Sequence, residues 1–371
     1  MQNGKFVIDT VIHAFNLSEE NFAYPRYASA INELILGVTG IVPSGYGLPR
    51  DAVIRDWPIE DAANMVFRES HTDVAVYHPV PIFAYKDGQS AFPKGVEAIK
   101  RWPNRFIGMY VSLDPLRPGT DAIAELNRQI DEVEAAGQKP LGLKLYPTSW
   151  RGEVIDSWRM DDPKIAYPLF EAAAARGITT MAVHKAIPLG PAPTAPAFHP
   201  GDVEAAADAY PELNFEIVHG GSAFIEETAW LLGRFQNIYV NLETLTIILA
   251  SRPRMFAQAV LGLCHVGGAA VLDRLFWSSG AMQFHPRLCL DAFERFSFPD
   301  DLLADYGLFD SLPQITDDHK ANILALNFVR LNGLDIEALR SRIDADEFAA
   351  DGGDATPYST TSIAGEVLTA A

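Results

Sequence analysis

Short apolar runs alternate along this chain with longer segments rich in Ala, Leu and Glu. The runs are nearly continuous in apolar character and rich in β-branched and aromatic residues, which is typical of strands buried on both faces of a sheet. Strands that alternate with helical segments indicate βα units on a parallel sheet. We count eight runs, at residues 6–13, 73–79, 105–113, 141–147, 179–186, 214–221, 238–244 and 274–280. The pattern therefore predicts an α/β fold, a single (β/α)₈ TIM barrel.

The segments between the strands carry helix signals. Residues 121–137 are amphipathic and end at a glycine, and residues 163–177 begin with a proline and also end at a glycine. Near the C-terminus, residues 315–333 predict an Asp-capped helix and residues 335–343 another, so we expect a helical extension of the barrel.

The last residues differ in composition from the rest of the chain. Beyond about Asp344 the sequence is small, polar and acidic, which favours a disordered tail or one docked on a partner. We therefore predict a barrel over residues 1–347 and a tail over residues 348–371.

Three insertions interrupt the βα rhythm. Residues 14–57 read as a long loop rich in Gly, Pro and Tyr, residues 187–201 hold five prolines, and residues 281–315 extend the last connection. All three follow strands, so they belong to the C-terminal face of the barrel, where barrel enzymes keep their active sites. We expect them to form the walls of a substrate site.

Composition narrows the partners and the compartment. The chain of 371 residues has 48% hydrophobic and 21% charged residues, as is usual for a folded protein. It carries 29 Lys plus Arg against 48 Asp plus Glu, a net charge of -19 that disfavours nucleic acid and anionic membranes as partners. With two cysteines, no signal-peptide pattern and no apolar run near 18 residues, we expect a cytoplasmic protein, by default a homodimer.

Polar residues stand at the ends of four predicted strands. His13 closes the first strand, Lys144 lies near the end of the fourth, His184 near the end of the fifth and His219 at the end of the sixth. A single strand-end histidine is more often a hydrogen-bonded structural residue than a ligand. Four such residues at the end that barrel enzymes use for catalysis indicate a site.

These motifs carry a resemblance to a known family. The segments VIDTVIH (7–13), GLKLYPTSWRG (142–152), ELNFEIVHGG (212–221) and HKANILALNFVRLNGL (319–334) resemble the amidohydrolase-related family. That family contains metal-dependent hydrolases, hydratases and nonoxidative decarboxylases. The resemblance runs from about Phe6 to Leu334, and it implies a divalent metal at the C-terminal mouth of the barrel.

The implied ligand positions are only partly filled. The family's first strand supplies a His or carboxylate and then a His, which fall on Val11 and His13. The fifth-strand ligand matches His184, and the sixth-strand His, a proton shuttle or second ligand, matches His219. The Asp that ends the last strand is replaced by Ser279. Val cannot coordinate a cation, and a neutral Ser hydroxyl is not a strong base at neutral pH.

Zinc typically needs three protein ligands, so a third has to come from elsewhere. In one hypothesis Glu243, near the end of the seventh strand, joins His13 and His184 around Zn²⁺ or a similar ion. In the other, a carboxylated Lys144 joins His184 and His219. The plainer interpretation of Lys144 is an ammonium group that binds a substrate carboxylate.

Other residues complete the predicted site. His219 is a candidate for proton transfer, and His285 is a candidate for the base that Ser279 cannot be, although a packed loop histidine explains His285 equally well. Besides Lys144, we expect three side chains to bind a small-molecule substrate: Arg50, Trp150 and Lys185. The plainer interpretation of each is a surface or packing residue.

The expected function follows from this set. We predict a hydrolase that acts on a small carboxylated or aromatic molecule through metal- or His-activated water. One alternative is a nonoxidative decarboxylase of a small unsaturated or aromatic acid. A second alternative is a protein that retains the barrel fold and binds a ligand without catalysing a reaction.

Overall fold

A computed structural model of the chain describes residues 1–43, 45–152, 154–193 and 196–367. Within them, eight parallel strands form one sheet in which each strand pairs with the next along the chain. These are β1 (Ile8–Ile12), β2 (Val74–Tyr77), β3 (Phe106–Ser112), β4 (Gly142–Leu145), β7 (Thr180–His184), β8 (Asn214–Val218), β9 (Ile238–Asn241) and β10 (Leu275–Phe276). Each lies inside one of the eight predicted runs, and the TIM barrel prediction is confirmed.

The barrel closes between its last strand and its first. The amide of Thr10 donates to the carbonyl of Trp277 at 3.2 Å, and that of His13 donates to Ala281 at 2.6 Å. Two further strands, β5 (Thr148–Arg151) and β6 (Val154–Ser157), form an antiparallel hairpin after β4. The sequence analysis did not predict this hairpin.

Helices connect the barrel strands. They are α1 (Pro25–Thr39), α2 (Arg50–Val53), α3 (Ile59–Phe67), α4 (Phe92–Arg101), α5 (Ala122–Ala135), α6 (Ala166–Ala175), α7 (Gly201–Ala209), α8 (Ile225–Arg234), α9 (Leu245–Ser251), α10 (Pro253–Gly267), α11 (Pro286–Arg295), α12 (Asp300–Leu303), α13 (Asp317–Ala321), α14 (Asn327–Asn332) and α15 (Ile336–Ile343). Helix α5 starts as predicted, where the Asp121 side chain accepts from two backbone amides. Helix α6 begins at Ala166, three residues later than the proline signal.

The first insertion is not the loop that its composition indicated. It contains the 15-residue helix α1, which begins with Pro25 and buries Tyr27, Ala28, Ile31 and Ile35 on one face. Gly, Pro and Tyr around the helix masked its 3.6-residue period. The third insertion likewise contains helices α11 and α12.

The predicted helix over residues 315–333 is real but differs in detail. Its cap is Thr316 rather than an Asp, because the Thr316 hydroxyl accepts from the amide of His319 in a capping box. A π-helical segment, Asn322–Leu326, then separates α13 from α14. Phe328 of α14 and Leu339 of α15 pack against Ile8 and Val74, so these helices cover the end of the barrel where the strands begin.

The tail segment packs on the barrel of its own chain. The buried carboxylate of Glu69 accepts from the amides of Tyr358, at 2.6 Å, and Thr360, at 2.7 Å. Arg287 also donates to the carbonyl of Ala355 at 2.8 Å. For residues 348–367 the docking surface is therefore the barrel itself, and the division at residue 347 stays a prediction.

One helical stretch of the described residues, Pro253–Arg274, is long and apolar enough to cross a membrane, with a mean hydropathy of 1.7. The sequence analysis did not single it out. Half of it is buried inside the protein, as in the core helix of a soluble protein, so length and composition are weak evidence for a span.

Candidate active site

Four polar side chains from different strand ends meet at the C-terminal mouth of the barrel. His184 ends β7, His13 and His219 follow β1 and β8 within a residue, and Glu243 comes two residues after β9. All four line a cavity of about 110 Å³. They converge because the carboxyl ends of parallel strands open on the same face of the barrel. We call them the His/Glu cluster.

Two of the histidines form a hydrogen-bonded chain. His184 Nε2 lies 2.7 Å from the carbonyl of Ile187, and His184 Nδ1 lies 2.7 Å from His219 Nε2. Since a carbonyl only accepts, Nε2 of His184 donates and its Nδ1 accepts from His219. The Thr244 hydroxyl, 3.2 Å from His219 Nδ1, then donates to that atom. These partners assign the proton of each ring, and they occupy both ring nitrogens of His184 and of His219.

Burial keeps these rings neutral. It lowers the pKa of His184 well below its usual value, and the positive charge of Lys144 lowers it further. Burial also lowers the pKa of His219, with His184 and Lys144 as the next causes. Neutral imidazoles at neutral pH retain the lone pairs that proton transfer needs.

The Glu243 carboxylate lies between two of these rings. Its Oε1 is 3.5 Å from His13 Nε2, and its Oε2 is 3.6 Å from His219 Nδ1. His13 Nδ1 donates to the carbonyl of His78 at 2.7 Å, so Nε2 is the ring nitrogen of His13 that faces Glu243. Gly280 leaves room for this carboxylate, because a Cβ at Gly280 would approach Glu243 Oε1 to 3.1 Å. Acceptors that face one another at these distances need a proton or a water between them.

The backbone is strained around the cluster. His219, Thr244 and Ala186 have φ angles of 73°, 69° and 67°, in the left-handed region that residues with a Cβ rarely adopt. Such conformations cost on the order of 1–3 kcal/mol each and concentrate at functional sites. Here they stand at or just beyond the ends of β7, β8 and β9.

Apolar side chains form the walls of the cavity. Helix α1 contributes Ile31, Leu34, Ile35 and Val38, and all three insertions reach the lining. Among the described residues that line this cavity there is no Lys or Arg. The geometry suits a small molecule with an apolar or aromatic body whose reactive end meets the His/Glu cluster.

Lys144 lies outside that lining, buried in the barrel. Its side chain is 1% exposed, and its Nζ has no hydrogen-bond partner among the described residues. The ring of Tyr146, which lines the cavity, lies 5.0 Å from Nζ. Burial lowers the pKa of Lys144 to about 8, against the opposing pull of Glu243 and Glu216.

The residues at the two substituted ligand positions, Val11 and Ser279, have structural roles. Val11 is fully buried and offers no donor. Ser279 donates from its amide, at 3.0 Å, and from its hydroxyl to Asp9. Burial raises the pKa of Asp9 to about 7, although these bonds act in the opposite direction. The pair Asp9 and Ser279 is thus a buried structural contact at the β1–β10 seam.

The structure does not bring the remaining predicted residues to the cavity. His285 Nε2 contacts Glu69 at 2.9 Å, and Lys185 Nζ donates to Asp202 at 2.8 Å. Arg50 is exposed and pairs with Glu33, and Trp150 is buried in the β5–β6 hairpin. Thr244 and Tyr146 line the cavity, although the sequence analysis missed them. Their positions in the sequence could have indicated them, because Thr244 directly follows Glu243 and Tyr146 comes two residues after Lys144.

The side chains do not fit the metal that the resemblance implies. Both ring nitrogens of His184 are engaged by protein atoms, which removes it from the sets with His13 and Glu243 or with Lys144 and His219. No group of three or more His, Cys, Asp or Glu among the described residues is placed to hold a metal ion.

Comparison with known proteins identifies the family. A family model described as Amidohydrolase matches residues 57–331, most of the chain. The chain belongs to the amidohydrolase family. Among curated proteins, no significant match exists.

Solved structures of other proteins share the fold. An uncharacterised TIM-barrel protein from Bordetella bronchiseptica has a TM-score of 0.58 at 16% identity, with 91% of this chain and 99% of that chain covered. A 2,6-dihydroxybenzoate decarboxylase bound to 2,6-dihydroxybenzoate has a TM-score of 0.53 at 15% identity, with 90% and 99% covered. A 5-carboxyvanillate decarboxylase from Novosphingobium aromaticivorans with bound manganese has a TM-score of 0.52 at 13% identity, with 90% and 98% covered. Membership of this family makes the protein an enzyme.

Proposed function

We propose that this amidohydrolase hydrolyses a small molecule with an apolar or aromatic body, using water activated by Glu243 beside His219. The observation that carries the proposal is the position of the Glu243 carboxylate between two imidazoles in an apolar cavity. Oriented acid–base groups of this kind contribute about 10²–10⁴-fold to a rate.

The chemical step uses the atoms that face the cavity. A water in the cavity gives a proton to Glu243 while its oxygen forms a bond to the electrophilic carbon of the substrate. The bond from that carbon to the leaving group then breaks, and the leaving group receives the proton. The His219 ring lies beside the carboxylate, with its Nδ1 3.6 Å from Glu243 Oε2 and held by the Thr244 hydroxyl. His184 is a positioning residue, since it fixes the tautomer of His219.

The proposal assigns roles more narrowly than the sequence did. His285, Ser279, Arg50, Trp150 and Lys185 take no part in the step, because none lines the cavity. Zn²⁺ is not part of it either, because the donor set does not fit. The protein is proposed to be soluble and cytoplasmic, by default a homodimer, without nucleic-acid or membrane partners.

Nonoxidative decarboxylation is the second candidate, and the wall chemistry favours it. Because no Lys or Arg lines the cavity among the described residues, a substrate carboxylate there lacks a cationic partner in the walls. Apolar surroundings favour loss of neutral carbon dioxide from a carboxylate. A protonated Glu243 would then deliver the proton that replaces the lost carboxyl group on carbon.

Product analysis tests the two reactions. The purified protein is screened with small esters, lactones, amides and aromatic or unsaturated carboxylates in ¹⁸O-labelled water. Incorporation of ¹⁸O without carbon dioxide release supports the hydrolase, and carbon dioxide release supports the lyase.

Two variants connect the product to the site. Glu243→Gln is expected to reduce turnover by about 10²–10⁴-fold while the protein stays folded. Glu69→Gln, a buried glutamate outside the cavity, is the matched control and is expected to keep turnover. Unchanged turnover in Glu243→Gln contradicts the proposal, and absence of turnover across the panel favours a binding protein.

A further inference from the structure

Two glutamine side chains line the cavity of the His/Glu cluster without a hydrogen-bond partner among the described residues. Gln89 is only 4% exposed, and Gln283 is partly exposed. Gln129, a buried glutamine elsewhere in the barrel, shows the usual arrangement, since its carboxamide donates to the carbonyl of Ser112 and accepts from the amide of Ser112, both at 2.8 Å. A buried carboxamide without such bonds needs a ligand or a water as its partner. Gln89 and Gln283 are therefore placed to bind a group that enters the cavity.

The backbone holds both glutamines beside the end of β1. The carbonyl of Gln89 accepts from the amide of Asn16 at 2.8 Å, three residues beyond His13. On the other side of the same strand end, the amide of His13 donates at 2.6 Å to the carbonyl of Ala281, two residues before Gln283. Because both segments are bonded to the chain around His13, a ligand at the cluster meets carboxamides whose backbone is already in place, which lowers the entropy lost on binding.

The charge of the cavity decides what kind of molecule these carboxamides suit. Among the described residues that line it, Glu243 is the only Asp, Glu, Lys or Arg. An anionic substrate would approach that carboxylate without a cation in the lining to offset the repulsion, and a buried charge without a partner is costly. A glutamine carboxamide is neutral and offers both a donor and an acceptor. The lining therefore favours an uncharged polar group on an apolar body.

We propose that the substrate is an uncharged molecule with an apolar or aromatic body, and that the carboxamides of Gln89 and Gln283 bind its carbonyl group. The inference deepens the proposed function and rests on it, because the esters, lactones and amides that a hydrolase attacks carry a neutral carbonyl. The carboxamide N–H groups donate to the carbonyl oxygen, and the carboxamide oxygens accept from an N–H or O–H beside it. Gln89 and Gln283 determine specificity, and proton transfer stays with Glu243.

A matched pair of probes tests the charge preference without turnover. Benzamide and benzoate have the same ring and nearly the same size, and only benzoate is charged at neutral pH. Each is titrated into the ¹⁵N-labelled protein, and NMR follows the side-chain NH₂ signals of the glutamines. We expect benzamide to bind saturably and to shift two glutamine NH₂ pairs, with benzoate about tenfold weaker or more because it faces a like charge. Benzoate binding as tight as that of benzamide, or benzamide without saturable binding, overturns the proposal.

Two variants assign the binding to the glutamines. Gln89→Met and Gln283→Met keep the length of the side chain and remove the carboxamide, and both are expected to fold because neither carboxamide bonds to another described residue. Each is expected to weaken benzamide binding by about 3–10-fold and to remove one of the two shifted NH₂ pairs. Gln236→Met, in an exposed turn before β9, is the matched control and is expected to bind benzamide normally. Unchanged benzamide binding in both cavity variants, with folding checked by circular dichroism, overturns the role of the glutamines.

The outcome is separable from that of the proposed function. Glu243→Gln is expected to lose turnover and to keep benzamide binding, whereas Gln89→Met and Gln283→Met are expected to raise KM for an uncharged substrate more than they lower kcat. Loss of hydrolysis in Glu243→Gln together with equal binding of benzamide and benzoate retains the proposed function and overturns this inference. A benzamide preference that depends on Gln89 and Gln283, in a protein without hydrolysis, gives the reverse result.

Discussion

Two buried His–Glu contacts of this barrel use the same residue types for different ends. In the cavity, Glu243 stands 3.5 and 3.6 Å from His13 and His219, and all three line open space. At the tail, Glu69 accepts from His285 at 2.9 Å and from Tyr358 and Thr360, with no exposure of either the Glu69 or the His285 side chain. We call the second contact the tail latch.

The difference lies in how completely the carboxylate is hydrogen-bonded. Burial by itself raises the pKa of Glu69, and the bonds from His285 and Thr360 outweigh it and lower the pKa. The latch is thus a closed network that stabilises the fold. The His/Glu cluster leaves lone pairs facing a cavity, and such groups are available to a substrate. Burial and residue type alone do not distinguish the two.

The largest expected effect separates the two histidines. His219→Asn is expected to lower turnover by about 10²–10⁴-fold, because it removes the imidazole beside Glu243 and its bond to His184. His285→Asn is expected to change turnover little and to lower stability. Steady-state kinetics on both variants, with thermal unfolding alongside, checks this. An equal loss of turnover in the two variants contradicts the assignment of His219 to the chemistry and of His285 to the tail latch.

Next in size is the loss of the latch carboxylate. Glu69→Ala leaves His285 and the amides of Tyr358 and Thr360 without an acceptor, and breaking a buried pair in this way costs about 3–5 kcal/mol. Urea unfolding measures the loss, and limited proteolysis is expected to cut the tail first. Glu366→Ala, in the exposed end of the tail, is the control. Undiminished stability in Glu69→Ala contradicts the latch.

A smaller effect concerns Lys144 and pH. Burial lowers its pKa from 10.5 to about 8, so between these values the unfolded chain binds a proton that the native protein does not. The free energy of unfolding therefore falls as the pH falls from 10.5 to about 8, with a slope of up to about 1.4 kcal/mol per pH unit, because the native protein resists protonation of this group. Urea unfolding from pH 7 to 10.5 is expected to show a weaker pH dependence in Lys144→Met. Parallel curves for the two proteins argue against a buried, unpaired ammonium.

The smallest expected effect is at Arg50. This exposed side chain pairs with Glu33 at 2.7 Å and does not line the cavity. Arg50→Ala is expected to change turnover by less than about twofold, because exposed ion pairs contribute little. A large rise in KM would instead assign Arg50 to substrate binding.

Much of the architecture was accessible from the sequence. Each of the eight barrel strands lies inside a predicted run, because burial on both faces of a parallel strand imposes a local pattern. His13, His184 and His219 were found for the same reason, since strand ends in a barrel share one face. Helix α1 was not found, because Gly, Pro and Tyr residues around it hide its period.

The sequence by itself determined the barrel and the face on which its polar strand ends meet, since both follow from periodicity and strand direction. Only the tertiary structure decided which of those polar groups face one another. His184 and Lys185 are neighbours in sequence, yet one enters the cluster and the other binds Asp202 on the opposite side of the strand. His285 and Glu69 are 216 residues apart and meet in the latch. Hydrogen bonding between distant segments leaves no local pattern, and it is what separates the structural polar residues of this protein from those proposed to do its chemistry.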